Sequence, residues 1–109
     1  MQGDNDEFRD RPVAVFGAAS GIGRATALAF AARGARVAAL DVNAKLLDGF
    51  ADELRSAGAA MALTAAADVR DSASVGPVLQ KAAAELGGLD HLSFTAGILR
   101  VGQLTDMSE

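Results

Sequence analysis

Three residue types are missing from the chain: its 109 residues include no cysteine, no tryptophan and no tyrosine, and only one histidine. Without cysteine, disulfide bonds, thiolate catalysis and cysteine-based zinc sites are excluded. A cysteine-free composition also agrees with a reducing cytoplasm, where we expect the protein to reside. With a single histidine, we expect no metal site either. No apolar run approaches the roughly 20 residues that a membrane-spanning helix needs, so we expect no membrane partner.

Positive charge is also scarce, since the formal net charge is -4 at pH 7. Because no basic stripe runs along the sequence, we expect no binding to nucleic acid. Residues 1–11 are acidic and contain no apolar segment, so they do not have the pattern of a secretory signal. We expect them to form a flexible leader before a single domain.

Short apolar runs alternate with helix-like spacing of apolar residues along the rest of the chain. This alternation is typical of a parallel α/β fold, in which each strand is followed by a helix that crosses back over the sheet. We therefore predict a three-layer Rossmann-like half-fold, with three helices and a parallel four-stranded sheet in the order 3-2-1-4. The domain is expected to span residues 12–97, and residues 98–109 to form a loop-like C-terminal tail that leads into a further segment. The predicted strands lie near residues 12–17, 36–42, 59–69 and 89–97.

Two helix starts are specific predictions. Asn43 is a good N-cap for the second helix, which is expected to continue without a break to Gly58. For the third helix, Asp71 and Ser74 are both candidate N-caps, and Ser74 is favoured. A start at Ser74 places Pro77 in the first turn, where its missing N–H has no intrahelical partner to lose.

The segment VAVFGAASGIGRAT, residues 13–26, holds Gly17, Gly21 and Gly23 between a predicted strand and a predicted helix. The start of a helix offers unpaired N–H groups and about half a positive charge, which favours phosphate when glycines let the ligand approach. The spacing differs from the common Gly-x-Gly-x-x-Gly fingerprint, and a plain tight turn remains the alternative. A P-loop is excluded, because the loop lacks the required lysine. We predict that a dinucleotide pyrophosphate binds at these glycines.

Asp41 ends the second predicted strand, 18 residues beyond Gly23. A dinucleotide-binding fold places a carboxylate there to accept hydrogen bonds from the adenosine ribose. The alternative is a solvated loop acid. At about 4 Å and an effective dielectric constant of about 20, this carboxylate would repel a 2'-phosphate by about 4 kcal/mol per pair of unit charges before screening. Residues 18–20 are Ala, Ala and Ser, so no cation in the loop offsets the repulsion, and NAD is favoured over NADP.

With these motifs assembled, the chain closely resembles the short-chain dehydrogenase/reductase family over residues 12–109. GAASGIG is similar to the family's glycine motif, LDV to its second-strand acid, ADVRD to its adenine-side loop and DHLSFTAGI to its Asn-Asn-Ala-Gly element. The resemblance implies an oxidoreductase that transfers hydride between a nicotinamide and an alcohol or carbonyl. It also implies cofactor contacts at Gly17, Ser20, Gly21, Ile22, Gly23, Asp41, Val42, Asp68, Val69, Phe94, Ala96 and Gly97.

Two departures from the family pattern concern the ends of the first and fourth strands. Phe16 stands where the family usually has a threonine, and Phe94 and Thr95 stand where its two asparagines are expected. The polar ties that those residues would make to neighbouring strands are therefore not expected. Phe94 is either a cofactor contact or a plain core residue.

The resemblance also implies a catalytic serine, tyrosine and lysine, which in the family lie downstream of the region that this chain resembles. Since the chain has no tyrosine, we expect it to contain no catalytic residue and to be inactive on its own. His91 stands at the start of the fourth predicted strand and is expected to be structural or solvated.

The fourth predicted strand has no further strand to pair with, so it would present an apolar open edge. Such an edge is a template for pairing with another copy. We therefore expect a homodimer or a larger oligomer, formed through this edge or through an uncovered face of the sheet. Two other interpretations stay open: a non-catalytic Rossmann-like module for binding or self-association, and an α/β domain for another adenine ligand.

Overall fold

A computed structural model describes residues 7–68, 70–94 and 97–100; of Ser72 and of residues 97–100, only the backbone is described. None of the helices in this part of the chain is long and apolar enough to cross a membrane. The elements are, in chain order, β1 (Pro12–Phe16), α1 (Gly21–Ala32), β2 (Arg36–Asp41), a 3-10 helix (Ala44–Leu47), α2 (Phe50–Ala57), β3 (Met61–Ala66), α3 (Ser72–Leu86), β4 (His91–Phe94) and β5 (Gly97–Arg100).

A single sheet contains all five of these strands in the order β3-β2-β1-β4-β5. β1 lies between β2 and β4, with Val15 opposite Ala39 on one side and opposite Ser93 on the other. β3, β2, β1 and β4 are parallel, which confirms the predicted order 3-2-1-4 and the Rossmann-like fold class. The carboxyl ends of these four strands therefore lie along one edge of the sheet, at Phe16, Asp41, Ala66 and Phe94.

The central strand β1 is buried along its whole length, because helices cover both faces of the sheet. Successive side chains of a strand point to opposite faces. Val13 and Val15 pack in one apolar cluster with Phe50 of α2, and α1 contributes to the same cluster. Phe16 packs in a second cluster with Leu86 of α3. A strand that is apolar at every position is typical of a parallel sheet in the middle of three layers.

The second helical segment is interrupted, so the prediction of one continuous helix from Asn43 to Gly58 is wrong. Asn43 is indeed an N-cap, but its side chain accepts a hydrogen bond from the Leu46 N–H at 3.4 Å and caps only the short 3-10 helix. Gly49 then adopts a left-handed conformation with φ of 77°, and α2 begins at Phe50. Only a residue without a Cβ adopts this conformation at low cost, which is why the break falls at the glycine.

α3 begins earlier than predicted. Its N-cap is Asp71, whose carboxylate accepts a hydrogen bond from the Ala73 N–H at 3.1 Å, so the choice of Ser74 is wrong. Pro77 consequently lies inside the helix. Proline has no backbone N–H, so it cannot donate a hydrogen bond to the carbonyl of Ala73, four residues earlier in the helix. Ala73 is exposed to water, which can bond to that carbonyl instead. A carboxylate cap at Asp71 therefore outweighs the loss of one hydrogen bond at the proline.

The fourth strand has a partner on its outer side that the sequence pattern does not predict. β5 turns back and pairs with β4 in the antiparallel sense, with Phe94 opposite Gly97 and His91 opposite Arg100. The predicted open edge of β4 is therefore wrong, and residues 98–100 of the predicted tail are a strand instead of a loop. Residues 101–109 of that tail lie outside the described residues. The hairpin satisfies backbone groups that the outer edge of β4 would otherwise leave unpaired.

Part of the predicted leader packs on the amino edge of the sheet. The Phe8 ring lies 4.9 Å from the Phe30 ring and 5.3 Å from the His91 ring, both edge to face. Asp10 accepts a hydrogen bond from Nε of Arg36 at 3.0 Å, and Nη1 of the same arginine donates to the Leu86 carbonyl at 2.6 Å. Phe8 and Asp10 thus attach this segment to α1, β2 and β4. Residues 1–6 lie outside the described part of the chain.

Candidate functional site

The glycine loop joins β1 to α1 at the carboxyl edge of the sheet. Gly17 has φ of 76°, which turns the chain sharply away from the strand. The Ser20 hydroxyl donates to the Gly17 carbonyl at 2.8 Å and so closes the turn. Ser20 is also the N-cap residue of α1, but it makes no capping hydrogen bond with its side chain, and the first turn of α1 contains no acidic residue. The first N–H groups of α1 are thus left without a side-chain acceptor, which suits an anionic ligand.

The three glycines of this loop are glycines for different reasons. At Gly17 the positive φ itself disfavours a side chain. At Gly23 a Cβ atom would lie 1.9 Å from the Gly17 carbonyl oxygen, so the helix could not approach the loop. At Gly21 a Cβ atom would meet nothing within 4 Å. No contact within the described protein explains Gly21, and open space before an uncapped helix fits the space that a pyrophosphate needs.

Asp41 lies beside this loop, at the end of β2. Its Oδ2 accepts a hydrogen bond from the Ala19 N–H at 3.0 Å, and its Oδ1 accepts one from the Asn43 N–H at 2.9 Å. The backbone makes a parallel link, because the Ala18 N–H donates to the Leu40 carbonyl at 3.0 Å. Each carboxylate oxygen has two lone pairs, so each retains one acceptor position. The half-buried carboxylate is therefore held in place and still offers two acceptors, which matches the two hydroxyls of a ribose.

Asp68 lies at the next strand end. The Ala67 N–H donates to the Asp41 carbonyl at 3.0 Å, which fixes the exit of β3 beside the exit of β2. The Asp68 carboxylate accepts two hydrogen bonds from the Arg70 guanidinium, both 3.1 Å long. These bonds lower the pKa of Asp68 below its ordinary value, and the Arg70 backbone N–H adds to this effect. Val69, another predicted site residue, lies outside the described residues.

Large apolar side chains are exposed around this edge. In the described part of the chain these are Ile22, Val42 and Leu46, whereas Met61, which is also exposed, begins β3 at the opposite edge of the sheet. Ile22 is 70% exposed and Val42 is 65% exposed, and both are predicted cofactor contacts. Leu46 is not among the predicted contacts, although it lies in the segment that directly follows β2. The sequence could have indicated this exposure, because Leu46 does not fall in the apolar repeat that Leu47 forms with the later helical residues and so is not expected in the core.

The two aromatic departures from the family pattern contact each other. The rings of Phe16 and Phe94 are stacked, with centroids 5.2 Å apart and planes 4° from parallel. They come from the carboxyl ends of adjacent strands, and both belong to the cluster on the α3 side of the sheet. Phe94 therefore packs on the core, while it stays half-buried at the site edge. Gly97 pairs with Phe94 in the hairpin, and Ala96 lies outside the described residues.

Arg24 is the cation nearest in sequence to the glycine loop, and it is already engaged. Its guanidinium forms an ion pair with Glu53 of α2 and lies 4.6 Å from the centroid of the Phe50 ring. Its charge is thus directed toward α2. Within residues 7–68, 70–94 and 97–100, no cluster of three or more histidine, aspartate or glutamate side chains could hold a metal ion.

Comparison with known proteins gives consistent matches. The family model described as short chain dehydrogenase matches residues 11–109. D-threitol dehydrogenase from Mycolicibacterium smegmatis is 43% identical over 95 residues, which are 86% of this chain and 36% of that protein. A hydroxysteroid dehydrogenase structure from Escherichia coli aligns with a TM-score of 0.75 and 28% identity, over 84% of this chain and 37% of the other.

A structure described as NAD+-bound xylitol dehydrogenase aligns with a TM-score of 0.73 and 30% identity, over 79% of this chain and 33% of the other. In each of these alignments the chain spans well under half of the length of the protein that it matches.

Proposed function

The chain belongs to the short-chain dehydrogenase family of oxidoreductases, which use nicotinamide cofactors, and on this premise we propose that it is the NAD(H)-binding portion of such an enzyme. The whole enzyme would transfer hydride between the nicotinamide and an alcohol or carbonyl substrate. The cofactor residues proposed here are those of the glycine loop, the Asp41 turn and the Asp68 loop.

The observation that carries this proposal is the 3.0 Å hydrogen bond from the Ala19 N–H to the Asp41 carboxylate. It joins the glycine loop to an acid 22 residues further along the chain. A pyrophosphate at the uncapped start of α1 would then have the acceptor for its ribose beside it. The open space at Gly21 supports the same arrangement, because no contact within the described part of the chain requires a glycine there.

We propose a preference for NAD over NADP on electrostatic grounds. A 2'-phosphate would lie against the Asp41 carboxylate, and at about 4 Å the repulsion amounts to about 4 kcal/mol per pair of unit charges at an effective dielectric constant of about 20. Asp41 is half-buried, so water and salt reduce this figure without changing its sign. Arg24 does not offset the repulsion, since it is paired with Glu53.

The nicotinamide, when bound, supplies the hydride chemistry, and the residues of this chain hold and orient the dinucleotide. The sequence contains no tyrosine, the residue type that the family resemblance implies as acid or base. We therefore propose that the 109-residue chain binds the cofactor and does not turn over substrate alone.

Titration with NADH, followed by the nicotinamide fluorescence, tests this function. We expect saturable enhancement with the unchanged chain and weaker enhancement with NADPH. The variant Asp41→Asn should bind NADH about tenfold more weakly, since it loses hydrogen bonds to a charged acceptor. It should bind NADPH more tightly than the unchanged chain, because the repulsion is removed. No response to NADH up to millimolar concentration would refute the proposal.

Asp48→Asn is the matched control for that experiment. Asp48 is exposed in the turn that follows the 3-10 helix, so this variant removes the same charge a short distance away. It should leave the ratio of NADH to NADPH affinity unchanged. If Asp41→Asn also leaves this ratio unchanged, the specific role of Asp41 is wrong even where NADH binds.

Self-association is a second candidate function, and the flank of the sheet beside β4 favours it. α3 packs chiefly across β1, β2 and β3, so the β4 end of this face has less helix cover. Phe94 of β4 is only half-buried there. We propose a two-fold dimer through this face, and sedimentation velocity at high micromolar concentration tests it, with a stable monomer as the contrary result.

A cytoplasmic location remains a proposal that rests on the cysteine-free composition.

A further inference from the structure

We infer that Glu53 is a specificity-determining residue, because it holds the Arg24 guanidinium away from the place where a 2'-phosphate would bind. This inference deepens the proposed function and rests on it, since it assumes that an adenine dinucleotide binds with its ribose at Asp41. The sequence pattern does not predict the pairing, because the two residues lie 29 positions apart and belong to different helices.

Arg24 lies one helical turn beyond the glycine loop. Its backbone N–H donates to the Ser20 carbonyl at 2.7 Å, so the two residues share one face of α1. Ser20 adjoins Ala19, whose N–H donates to the Asp41 carboxylate at 3.0 Å. Long side chains in a helix lean toward its N-terminus, and one turn rises only about 5.4 Å. The Arg24 side chain is therefore within reach of the space beside Ser20 and Asp41.

Two contacts hold the Arg24 guanidinium against α2 instead. The guanidinium forms an ion pair with Glu53, and its central carbon lies 4.6 Å from the centroid of the Phe50 ring. Phe50 is only 1% exposed and belongs to the core, so its ring stays in place. The ring attracts a cation weakly at a site open to water, whereas the carboxylate makes a charge-assisted hydrogen bond. Glu53 is therefore the contact that keeps this charge from the cofactor site.

The loss of Glu53 should favour a phosphorylated ribose in particular. NADH and NADPH differ only in the 2'-phosphate, which the Asp41 carboxylate repels. A guanidinium released from Glu53 would offset this repulsion, and its planar fork suits phosphate oxygens. NADH carries no anionic group at the 2' position, so its affinity should hardly change.

The exposure of the ion pair separates this role from a role in folding. The side chains of Arg24 and Glu53 are 39% and 45% exposed, and ion pairs of such exposure contribute little to the stability of a protein. Glu53→Ala should therefore fold and leave the melting temperature almost unchanged. What it should change is the direction in which the Arg24 guanidinium points.

The experiment titrates NADH and NADPH, each followed by nicotinamide fluorescence, into the unchanged chain and three variants. Glu53→Ala should bind NADPH about tenfold more tightly, which corresponds to about 1.4 kcal/mol, and should bind NADH within about twofold of the unchanged chain. Arg24→Ala should leave the ratio of the two affinities unchanged, because Glu53 already withholds that charge. The double variant Arg24→Ala/Glu53→Ala should lose the whole gain in NADPH affinity, since no guanidinium remains to be released.

Asp52→Ala is the matched control, because it removes the same charge from the same first turn of α2, where Asp52 pairs with Arg55. Its ratio of NADH to NADPH affinity should equal that of the unchanged chain. No gain in NADPH affinity in Glu53→Ala, an equal gain in Asp52→Ala, or a gain that persists in the double variant would overturn the role of Glu53 while NAD binding stands. If the unchanged chain binds neither ligand, the proposed function fails and this inference fails with it.

Discussion

The sharpest prediction concerns Gly21, because protein stability and cofactor binding should respond to its replacement in opposite directions. A Cβ atom at Gly21 meets nothing within 4 Å, and the residue lies in the first turn of α1. Alanine is favoured over glycine in helices by up to about 1 kcal/mol, and the first turn should show part of this. Gly21→Ala should therefore raise the free energy of unfolding by about 0.5 kcal/mol, or the melting temperature by about 2 to 4 °C. The added methyl group would occupy the space assigned to the pyrophosphate, so NADH affinity should fall at least about tenfold.

Gly23→Ala is the matched variant in the same loop. Its Cβ would lie 1.9 Å from the Gly17 carbonyl oxygen and 2.5 Å from the carbonyl carbon, so backbone must move. Overpacking of this kind costs typically about 1 to 3 kcal/mol, which lowers the melting temperature by roughly 5 °C or more. Thermal unfolding and NADH titration on the same samples separate the two effects. If Gly21→Ala binds NADH like the unchanged chain, or is destabilised as Gly23→Ala is, the assignment of Gly21 to the ligand is wrong.

Three further predictions concern the rest of the fold. Phe16→Thr and Phe94→Asn should each lower the free energy of unfolding. The double variant should lose about 0.5 to 1.5 kcal/mol less than the sum of the two single losses, because the stacked pair is lost only once. Urea unfolding of the unchanged chain and the three variants measures this coupling. Asp71→Ala should lower the free energy of unfolding by about 1 kcal/mol through loss of the α3 cap, and an unchanged melting temperature would contradict the cap. Because Arg70 lowers the pKa of Asp68 in the folded chain, the difference in unfolding free energy between the unchanged protein and Asp68→Asn should be constant above about pH 5 and should shrink below about pH 4. Urea unfolding from about pH 3 to 7 measures this difference, and a difference that grows toward low pH would contradict the ion pair.

The parts of the site that the sequence predicted are those fixed by local pattern. The glycine loop and Asp41 follow apolar strands directly, and parallel strands bring their carboxyl ends to one edge, so spacing alone predicted that they lie together. The Arg70 contact was not found, because an exposed arginine two residues from an acid is common on protein surfaces. Nor could the sequence predict the Phe16–Phe94 stack, since it depends on the register of strands far apart in the chain.

The errors have physical causes of their own. β5 is only four residues long and includes a glycine, so its pattern resembles a loop. The start of α3 was misplaced because the proline was given more weight than the Asp71 cap. The break before α2 was missed because an isolated glycine is tolerated in many helices, and only the observed φ of Gly49 reveals that the chain turns there.

Arg36 has a practical consequence for handling the protein. Its guanidinium joins Asp10 to the Leu86 carbonyl, and a side chain at Gly87 would approach it within 2.8 Å. An affinity tag joined ahead of Glu7 leaves this junction intact, whereas a shortened version starting at Pro12 removes Asp10 and uncovers the Phe30 ring. Such a version should be cut more readily by proteases near the end of α3, about 75 residues away in sequence from the deletion.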